Sequence, residues 1–478
     1  MAPRRPGCST DIGLIENGKV REAALAQTHD VTTLIDNARI SMLQVRVVLI
    51  CIVIGMLDGF DIQVVGVIAP TLAEAWQVPV KDFGPLFASG LVGIAVGAFT
   101  LGPLGDRYGR KRTIMISTFI FGLFSLFTAF ASNIPEMIVA RFLTGIGLGG
   151  VMPNIITLTA EYAPARARAT TVTLMFCGLP IGLMLGALSG ASLIPIYGWQ
   201  SAFVIGGVLP LLMLPLIWKA MPESIRFLVA SGKEPDKVRK LMRQIIPGAN
   251  FGAQDSFTVA EAPPKGFPVR LLFVGGMGLN TALVWVSFFM NLLVMYFLVN
   301  WLPLLFVQLK LPASVAFQST AAFNLGGMIG ALLIGRLLDR ANPFPILAGA
   351  YGIAALAIPA ITTAAQSGHP LLLISAVAIA GVGVMGVQIG MNAVTANIYP
   401  VSVRATGIGW ALGVGRFGAI IGPLIGGLLL GLGLTSPQVI LSTIVPILVA
   451  AVALILLGLR GRGGTMAEGR GRRTEVSG

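Results

Sequence analysis

Four charged side chains stand inside apolar stretches that are long enough to cross a bilayer: Asp58, Asp61, Arg141 and Arg416. A charge at the bilayer centre costs at least about 2.5–3.5 kcal/mol on insertion scales, so such residues are functional candidates by default. Asp58 and Asp61 are three residues apart and share one face of a helix. Because two carboxylates this close disfavour double ionisation in a low dielectric, one of them binds a proton more readily. The pair therefore predicts a proton-coupling site.

Two alternatives bear on this pair of aspartates. Asp61 is the first choice for the proton because the polar Gln63 follows it, although the sequence hardly separates it from Asp58. The competing interpretation is that both aspartates form ion pairs with Arg141 or Arg416 and only hold helices together. Glu161, at the end of the fourth apolar stretch, is a third proton-coupling candidate.

The two arginines are candidates for binding an organic anion. A guanidinium group matches a carboxylate with two parallel hydrogen bonds and stays charged at any relevant pH. Two aspartates and two arginines sum to zero, and an organic anion entering with one proton leaves that sum unchanged. For Arg141, a salt bridge that supports the coupling aspartate is an equally good interpretation.

The composition identifies the elements that must position these residues. The chain has 478 residues, of which 55% are hydrophobic and 11% are charged, whereas soluble proteins carry about 25% charged residues. This excludes a cytosolic enzyme or a nucleic-acid binder as the default, despite a net charge of +13. A β-barrel is disfavoured because its strands alternate apolar and polar residues, while these stretches are apolar on all sides.

Hydropathy separates twelve apolar stretches, each near the about 20 residues that a membrane-spanning helix needs. We expect an all-α membrane protein with spans at Val47–Pro70, Phe83–Leu101, Ile114–Ala131, Glu136–Ala160, Thr170–Ile194, Ser201–Trp218, Leu283–Phe306, Ala316–Leu338, Ile346–Ala365, Pro370–Ala396, Gly407–Gly431 and Val439–Leu459. Segment Val31–Arg46 is expected to form a short interfacial helix before the first span.

The basic residues predict the orientation. Of 33 lysine and arginine residues, 29 lie in the tails and in the loops on one side, and the opposite loops carry only Lys81 and Lys310. By the positive-inside rule, both termini are cytoplasmic and the protein is multi-pass in the inner membrane. The expected domains are an N-terminal segment (1–45), a six-helix bundle (46–219), a central loop (220–270), a second bundle (271–459) and a basic tail (460–478).

An internal repeat divides the spans into two halves. The pattern G-x-L-x-D-R begins at Gly102 after span two and at Gly335 after span eight, 233 residues later. A second echo places Arg168-Ala-Thr and Arg404-Ala-Thr 236 residues apart. Repeats at the same topological positions predict two pseudo-symmetric six-helix halves, an arrangement typical of transporters that bind their substrate between the halves.

These motifs resemble those of a known family. Residues 102–111, GPLGDRYGRK, resemble the signature between spans two and three of the major facilitator superfamily, and Arg141-Phe-Leu-Thr-Gly-Ile-Gly and Pro222-Glu223-Ser224 match it as well. The segment Asp58-Gly-Phe-Asp61 in span one is similar to the signature of the aromatic acid:proton symporters. Similar stretches follow Trp285, Asn300 and Arg404.

The resemblance implies a major facilitator fold and proton-coupled import of an aromatic carboxylic acid of benzoate or hydroxybenzoate type by alternating access. No enzymatic activity, metal or other cofactor is expected, since the proton gradient supplies the energy. The expected partners are the aromatic acid, protons and the lipid bilayer, with no nucleic acid, and the protein is expected to be monomeric.

The resemblance also assigns site residues. Spans one, four, seven and ten line the central cavity of this superfamily, and Gln388, Asn392 and Thr395 form a polar stripe on span ten. With Arg141 and Arg416, we expect Tyr296, Gln388 and Asn392 to bind substrate, Tyr296 and Asn392 through its hydroxyl groups. Aromatic side chains of span seven are candidates for stacking on the ring, although packing is the commoner role.

The loop motif is expected to act as a cytoplasmic latch that breaks as the halves rock. Its residues are Gly102, Asp106, Arg107, Gly109 and Arg110, with Asp339, Arg340 and Arg404 as counterparts in the second half. Asp106 is expected to interact favourably with the dipole at the start of span three.

Two other functions stay open at this stage. One is transport of a different kind, namely proton-coupled efflux of drugs or metabolites, or uptake of a non-aromatic organic acid. Gly418-x-x-x-Gly422-Pro423 resembles an antiporter motif, although it lies in span eleven rather than in span five. The other is a membrane sensor for aromatic acids, which short tails without a recognisable signalling domain disfavour.

Overall fold

The computed structural model describes residues 28–474 except 233, 250, 253–254, 260–268, 275–276, 339 and 401–402. It consists of long helices, which we number as spans 1 to 12: Met42–Trp76, Phe83–Thr100, Arg110–Ala129, Ile134–Tyr162, Arg168–Phe176 with Gly178–Ser192, Gln200–Ala220, Gly278–Gln308, Ala313–Leu338, Pro343–Ser367, Pro370–Ile398, Arg404–Gly431, and Ser436–Leu441 with Ile444–Thr474. Shorter helices are Val31–Asn37, Leu104–Tyr108, Ile194–Tyr197, Ile225–Ser231 and Pro235–Ile245, and single 3-10 turns lie at Val80–Asp82, Ala165–Ala167 and Val269–Phe273.

The prediction of twelve membrane-spanning helices is confirmed within the described residues. The expected interfacial helix over Val31–Arg46 is wrong in its extent, because it ends at Asn37 and span 1 begins separately at Met42. Ser41 and Gln44 form a capping box there: the hydroxyl of Ser41 accepts from the Gln44 N–H, and the Gln44 side chain accepts from the Ser41 N–H. This reciprocal cap starts a new helix.

The repeat seen in the sequence recurs as a packing contact. Spans 2 and 4 approach so closely that a Cβ on Gly93 would overlap the carbonyl oxygen of Phe142. In the second half, spans 8 and 10 meet where a Cβ on Gly326 would overlap the carbonyl oxygen of Ala378. These positions are 233 and 236 residues beyond Gly93 and Phe142, the same offsets as the two sequence echoes. The halves are therefore built on one packing plan, with small residues at the helix crossings.

The two halves meet through spans 1 and 7, spans 2 and 11, and spans 5 and 8. A Cβ on Gly66 of span 1 would lie 2.8 Å from the carbonyl oxygen of Asn300 in span 7. A Cβ on Gly84 of span 2 would lie 3.2 Å from the carbonyl oxygen of Pro423 in span 11. All four residues lie toward the end of the bundle opposite the basic loops, which we call the far end. The halves are thus closed against each other at the far end.

Toward the opposite end, here called the basic end, the halves separate. Val45, Leu49 and Val53 form an exposed stripe on span 1, whereas every residue from 57 to 70 is buried. The largest apolar core joins both halves, but the basic end has separate cores for the first half with its linker and for the second half. The described residues therefore form a molecule that is sealed at the far end and parted at the basic end.

The segment before span 1 is tied to the linker between the halves. Strand Thr28–Asp30 pairs in parallel with strand Ser256–Thr258. His29 Nε2 lies 3.3 Å from Asp255 Oδ2, and its ring packs against Phe251 and Phe257. These contacts hold the linker beneath the first half.

Candidate functional site

A buried ion pair joins spans 1 and 4 in the first half. Arg141 Nη1 donates to Asp61 Oδ1 at 2.9 Å, and Arg141 Nη2 donates to Asp61 Oδ2 at 2.6 Å. Both side chains are almost fully buried. This is the bidentate arrangement that a guanidinium group makes with a carboxylate. The salt-bridge alternative for Arg141 is therefore the arrangement found, and its two terminal nitrogens already have a partner.

Spans 3 and 6 complete the surroundings of this pair. The Ser125 hydroxyl donates to Asp61 Oδ1 at 3.1 Å, and the Phe203 ring lies 5.5 Å from the guanidinium carbon of Arg141. The sequence gave no signal for Ser125 or Phe203, because an isolated serine or phenylalanine in an apolar span is most often a packing residue. Together they enclose the pair on the side away from the second half.

Asp58 is in a different environment, although it is one helical turn from Asp61. Its side chain is buried, and its Oδ1 atom has no hydrogen-bond partner among the described residues. It interacts electrostatically with Asp61 and, across the interface between the halves, with Arg416 of span 11. Tyr296 of span 7 belongs to the same group, since it interacts with both Arg416 and Asp58. Asp58 thus faces the second half, whereas Asp61 is held within the first.

Arg416 is the intramembrane arginine that keeps its hydrogen-bonding capacity. Its side chain is half-buried, and within the described residues no carboxylate lies within 4 Å of its guanidinium group. A buried cation without a partner is costly in an apolar medium. The geometry therefore separates the two arginines: Arg141 is neutralised inside one half, and Arg416 is available to an anion between the halves.

Span 10 places amide groups at the same depth. Gln63 donates to the carbonyl oxygen of Val299 at 3.1 Å, which sets the register of spans 1 and 7. Five residues nearer the basic end, about 7.5 Å at 1.5 Å per residue, Asp58 is level with Val294. Asn291 lies one turn below that level and donates to Gln388 Oε1 at 2.6 Å. Gln388 is therefore within about a turn of the depth of Asp58.

Two acceptor atoms on these spans have no partner among the described residues, Asn291 Oδ1 and Asn392 Oδ1. Asn392 is half-buried, one turn beyond Gln388 on span 10. A buried carbonyl oxygen without a donor costs about 1–3 kcal/mol. A ligand that brings hydroxyl groups into this region would supply the missing donors. The sequence singled out Asn392 from its stripe but missed Asn291.

The loop motif forms its own ion network at the basic end. Arg110 Nη2 lies 2.8 Å from Asp106 Oδ1 and 3.1 Å from Glu161 Oε1, and the Ser224 hydroxyl donates to Glu161. Glu161 stands twenty residues beyond Arg141 on span 4, about 30 Å along the helix. The structure therefore places Glu161 with the loop motif and separates it from Asp58 and Asp61.

The residue that caps span 3 is Glu223 rather than Asp106. Glu223 accepts hydrogen bonds from the backbone N–H of Lys111 at 3.0 Å and from that of Ser224 at 2.9 Å. Gly109 has φ +100°, and a Cβ there would overlap the Glu223 carboxylate. The expectation that Asp106 meets the helix dipole is thus wrong in its residue, since the carboxylate at this helix start comes from the end of span 6.

The other motif residues do not extend this network into the second half. Gly102 packs closely against the carbonyl oxygen of Ala98, and the Arg107 guanidinium lies 5.4 Å from the Tyr108 ring. Arg340 and Arg404 are exposed and form no ion pair with a described residue. Asp339 lies outside the described residues. The latch role stays a prediction.

The antiporter-like motif of span 11 has a packing explanation. A Cβ on Gly418 would overlap the carbonyl oxygen of Phe289, and a Cβ on Gly422 would overlap that of Leu293. These glycines let spans 7 and 11 approach within the second half. Trp285 is likewise a packing residue, stacked on Trp410 with ring centroids 5.9 Å apart.

The chain is similar to known membrane transporters. A family model described as Major Facilitator Superfamily matches residues 51–423. The chain is 42% identical to a gallate transporter of Pseudomonas putida over 430 residues, which are 90% of this chain and 95% of that protein. It is 40% identical to the 4-hydroxybenzoate transporter PcaK of Pseudomonas putida, covering 91% of this chain and 97% of the relative. A benzoate transport protein of Acinetobacter baylyi is 34% identical, over 90% of this chain and 93% of its own length.

Solved structures support the same fold. The D-xylose-proton symporter superposes with a TM-score of 0.65 at 18% identity, covering 86% of this chain and 97% of the other. A bacterial homologue of the lysosomal transporter Spinster, in an inward-facing and unoccupied conformation, gives a TM-score of 0.66 at 16% identity over 87% and 97%. The predicted fold of two six-helix halves is confirmed.

The buried ion pair generates a testable prediction. Asp61→Asn or Arg141→Gln alone leaves one buried charge without its partner, which costs about 3–5 kcal/mol of unfolding free energy. The double variant removes both charges, so we expect its loss to be clearly smaller than the sum of the two single losses. The measurement is thermal or denaturant unfolding of the purified protein in detergent. Ser125→Ala serves as the control and should lose about 1.5–3 kcal/mol; strictly additive single losses would contradict the pairing.

Proposed function

Because the chain belongs to the Major Facilitator Superfamily, we propose that it imports an aromatic carboxylic acid of benzoate or hydroxybenzoate type together with a proton. The observation that carries this proposal is Arg416, a half-buried intramembrane cation without a carboxylate partner in the described chain, facing Asp58 across the interface between the halves. Relatives named for the transport of gallate, 4-hydroxybenzoate and benzoate support the aromatic class.

The orientation follows from the charges. We take the basic end as cytoplasmic, in accordance with the positive-inside rule, and the membrane as the bacterial inner membrane. The separation of the halves at the basic end then corresponds to an inward-open arrangement. Alternating access exchanges it for one in which the far end opens. The protein works as a monomer, without cofactor, and draws its energy from the proton gradient.

The substrate carboxylate binds to Arg416 in the proposed mechanism. A guanidinium group offers two parallel donors to a carboxylate, and a charge-assisted pair is about twice as strong as a neutral one. Tyr296 is near enough to Arg416 to interact with it electrostatically, so its ring adjoins the bound acid. Ring hydroxyl groups donate to Asn291 and Asn392, whose oxygen atoms lack donors. Hydroxylated acids are therefore the preferred substrates.

The proton binds to Asp58. Asp61 accepts two guanidinium hydrogen bonds and one from Ser125, and all three stabilise the ionised carboxylate. Asp58 lacks a partner at Oδ1, and a proton removes the cost of burying its charge. The geometry thus moves the first choice for the proton from Asp61 to Asp58.

Charge neutrality couples the two ligands. With neither ligand bound, ionised Asp58 balances Arg416. With both bound, protonated Asp58 is neutral and the substrate carboxylate balances Arg416. Either ligand alone leaves one net charge between the halves, which is costly in an apolar interior. Only the empty and the doubly loaded protein can then close around the site at low cost.

The first prediction concerns uptake of radiolabelled 4-hydroxybenzoate by cells that express the protein. Accumulation should depend on the proton gradient and collapse with a protonophore. Arg416→Gln should raise KM about 10- to 150-fold, since a charge-assisted hydrogen bond contributes about 1.5–3 kcal/mol, while Arg416→Lys retains part of the affinity. Arg336→Gln, which removes an exposed cation outside the site, is the matched control. Accumulation that survives the protonophore would refute symport, and wild-type KM in Arg416→Gln would refute the anchor.

The second prediction separates the aspartates by substrate counterflow in proteoliposomes, which requires binding and reorientation but no proton gradient. Asp58→Asn mimics the protonated form, so it should retain counterflow and lose gradient-driven accumulation. Asp61→Asn leaves Arg141 buried without its counter-ion, so it should lose both activities. Retained counterflow in Asp61→Asn with loss of both activities in Asp58→Asn would assign the proton to Asp61 instead.

The third prediction concerns the hydroxyl contacts. Asn291→Leu and Asn392→Leu should each lower the preference for 4-hydroxybenzoate over benzoate by about 5- to 100-fold, because an unpaired buried amide penalises the substrate without a hydroxyl group. Competition of each acid against labelled 4-hydroxybenzoate measures the preference. Asn280→Leu at the basic end, where Asn280 accepts from Arg460, is the control. An unchanged ratio in both site variants would exclude these amides from substrate recognition.

A further inference from the structure

A second cavity lies at the basic end of the first half, apart from the central charges. Its volume is about 1310 Å³. Its walls are the start of span 1, the loop and first turn of span 3, the end of span 6, and the two linker helices Ile225–Ser231 and Pro235–Ile245. No step of the proposed transport cycle uses this cavity.

The lining of this cavity is strongly basic. Seven cationic residues and three acidic residues contribute to it, and the cationic ones are Arg46, Arg107, Lys111, Arg112, Lys219, Lys237 and Lys240. The acids are already engaged: Glu223 caps span 3, Asp106 pairs with Arg110, and Glu234 pairs with Lys237. Five cations, namely Arg46, Arg107, Arg112, Lys219 and Lys240, have no carboxylate of the described chain within ion-pair distance. The cavity therefore attracts an anion.

Two of these cations continue lipid-facing apolar stripes. Arg112 stands four residues before Ile116 on span 3, and Lys219 stands three residues after Leu216 on span 6, so each pair shares a helix face. Ile116 is 55% exposed and Leu216 is 47% exposed. Spans 3 and 6 pack against each other, and Trp218 stands at the rim of the cavity. A basic cavity thus opens beside an exposed apolar surface at the membrane boundary.

Topology alone does not account for this arrangement. The positive-inside rule requires basic residues in these loops, but it does not require that separate segments direct them around one cavity. We propose that the cavity binds a phosphate-bearing group, supplied by the headgroup of an anionic phospholipid. The acyl chains lie on the exposed faces of spans 3 and 6, and the phosphate lies among Arg112, Lys219 and Lys240. Basic pockets of this kind at the cytoplasmic membrane face suit anionic headgroups.

The probe is phosphatidylglycerol with brominated acyl chains, which quenches tryptophan fluorescence on contact. The purified full-length chain in detergent is titrated with it, and Trp218→Phe identifies the part of the quenching that arises at the cavity. We expect saturable quenching that Trp218→Phe reduces and that brominated phosphatidylcholine does not produce. A second arm adds inorganic phosphate, which displaces the lipid at low concentration only if the site is built for a free phosphate.

The matched variants remove equal charge inside and outside the cavity. Lys219→Gln/Lys240→Gln should weaken phosphatidylglycerol binding about 25-fold, since each basic residue near an anionic headgroup contributes about fivefold. Arg270→Gln/Arg336→Gln neutralises two exposed cations of the second half and should leave binding unchanged. Equal affinities of both double variants, or equal quenching by the two brominated lipids, would overturn the proposal. Loss of phosphatidylglycerol binding in the cavity variant alone supports it, whether or not the central site transports an aromatic acid.

Discussion

An apolar interior tolerates a charge only when another group neutralises it, and this constraint governs the centre of the molecule. Asp61 and Arg141 satisfy it within one half, through two guanidinium hydrogen bonds and a third from Ser125. Asp58 and Arg416 satisfy it only in part, because they stand in different halves and interact without forming an ion pair. One pair therefore stabilises the fold, and the other stays open to ligands.

The packing of the helices decides where movement can occur. Small residues bring spans 2 and 4, and equally spans 8 and 10, into backbone contact, so each half is a rigid unit. The extensive contacts between the halves lie near the far end, around Gly66 and Gly84. The loop-motif network of Arg110, Glu161 and Glu223 is complete within the first half. Rocking of two rigid halves thus leaves these internal networks intact and changes only the surroundings of Asp58 and Arg416.

Much of this architecture could be predicted from the sequence, because its causes act along the chain. Apolar length fixes the spans, and two offsets fix the repeat. The four intramembrane charges are conspicuous because such residues are expensive. What could not be predicted depends on rotation about helix axes and on contacts between distant spans. The pairing of Arg141 rather than Arg416 with Asp61, the role of Ser125, and the cap from Glu223 are all of this kind. Glu161 was misplaced in the coupling group for the same reason, since depth along span 4 did not reveal its partner Arg110.

The divided pair gives a physical reason for coupling between ligands that need not touch. In the proposed cycle, an anion without a proton, or a proton without an anion, leaves one uncompensated charge between the halves. If that charge costs about 2.5–3.5 kcal/mol, the half-loaded forms reorient roughly 70- to 400-fold less often than the neutral ones. Asp61 and Arg141 contribute nothing to this balance, because their charges cancel in every state. Coupling then depends on Asp58 and Arg416 remaining the sole unpaired charges at the interface, which is why the first half must bury its other pair so completely.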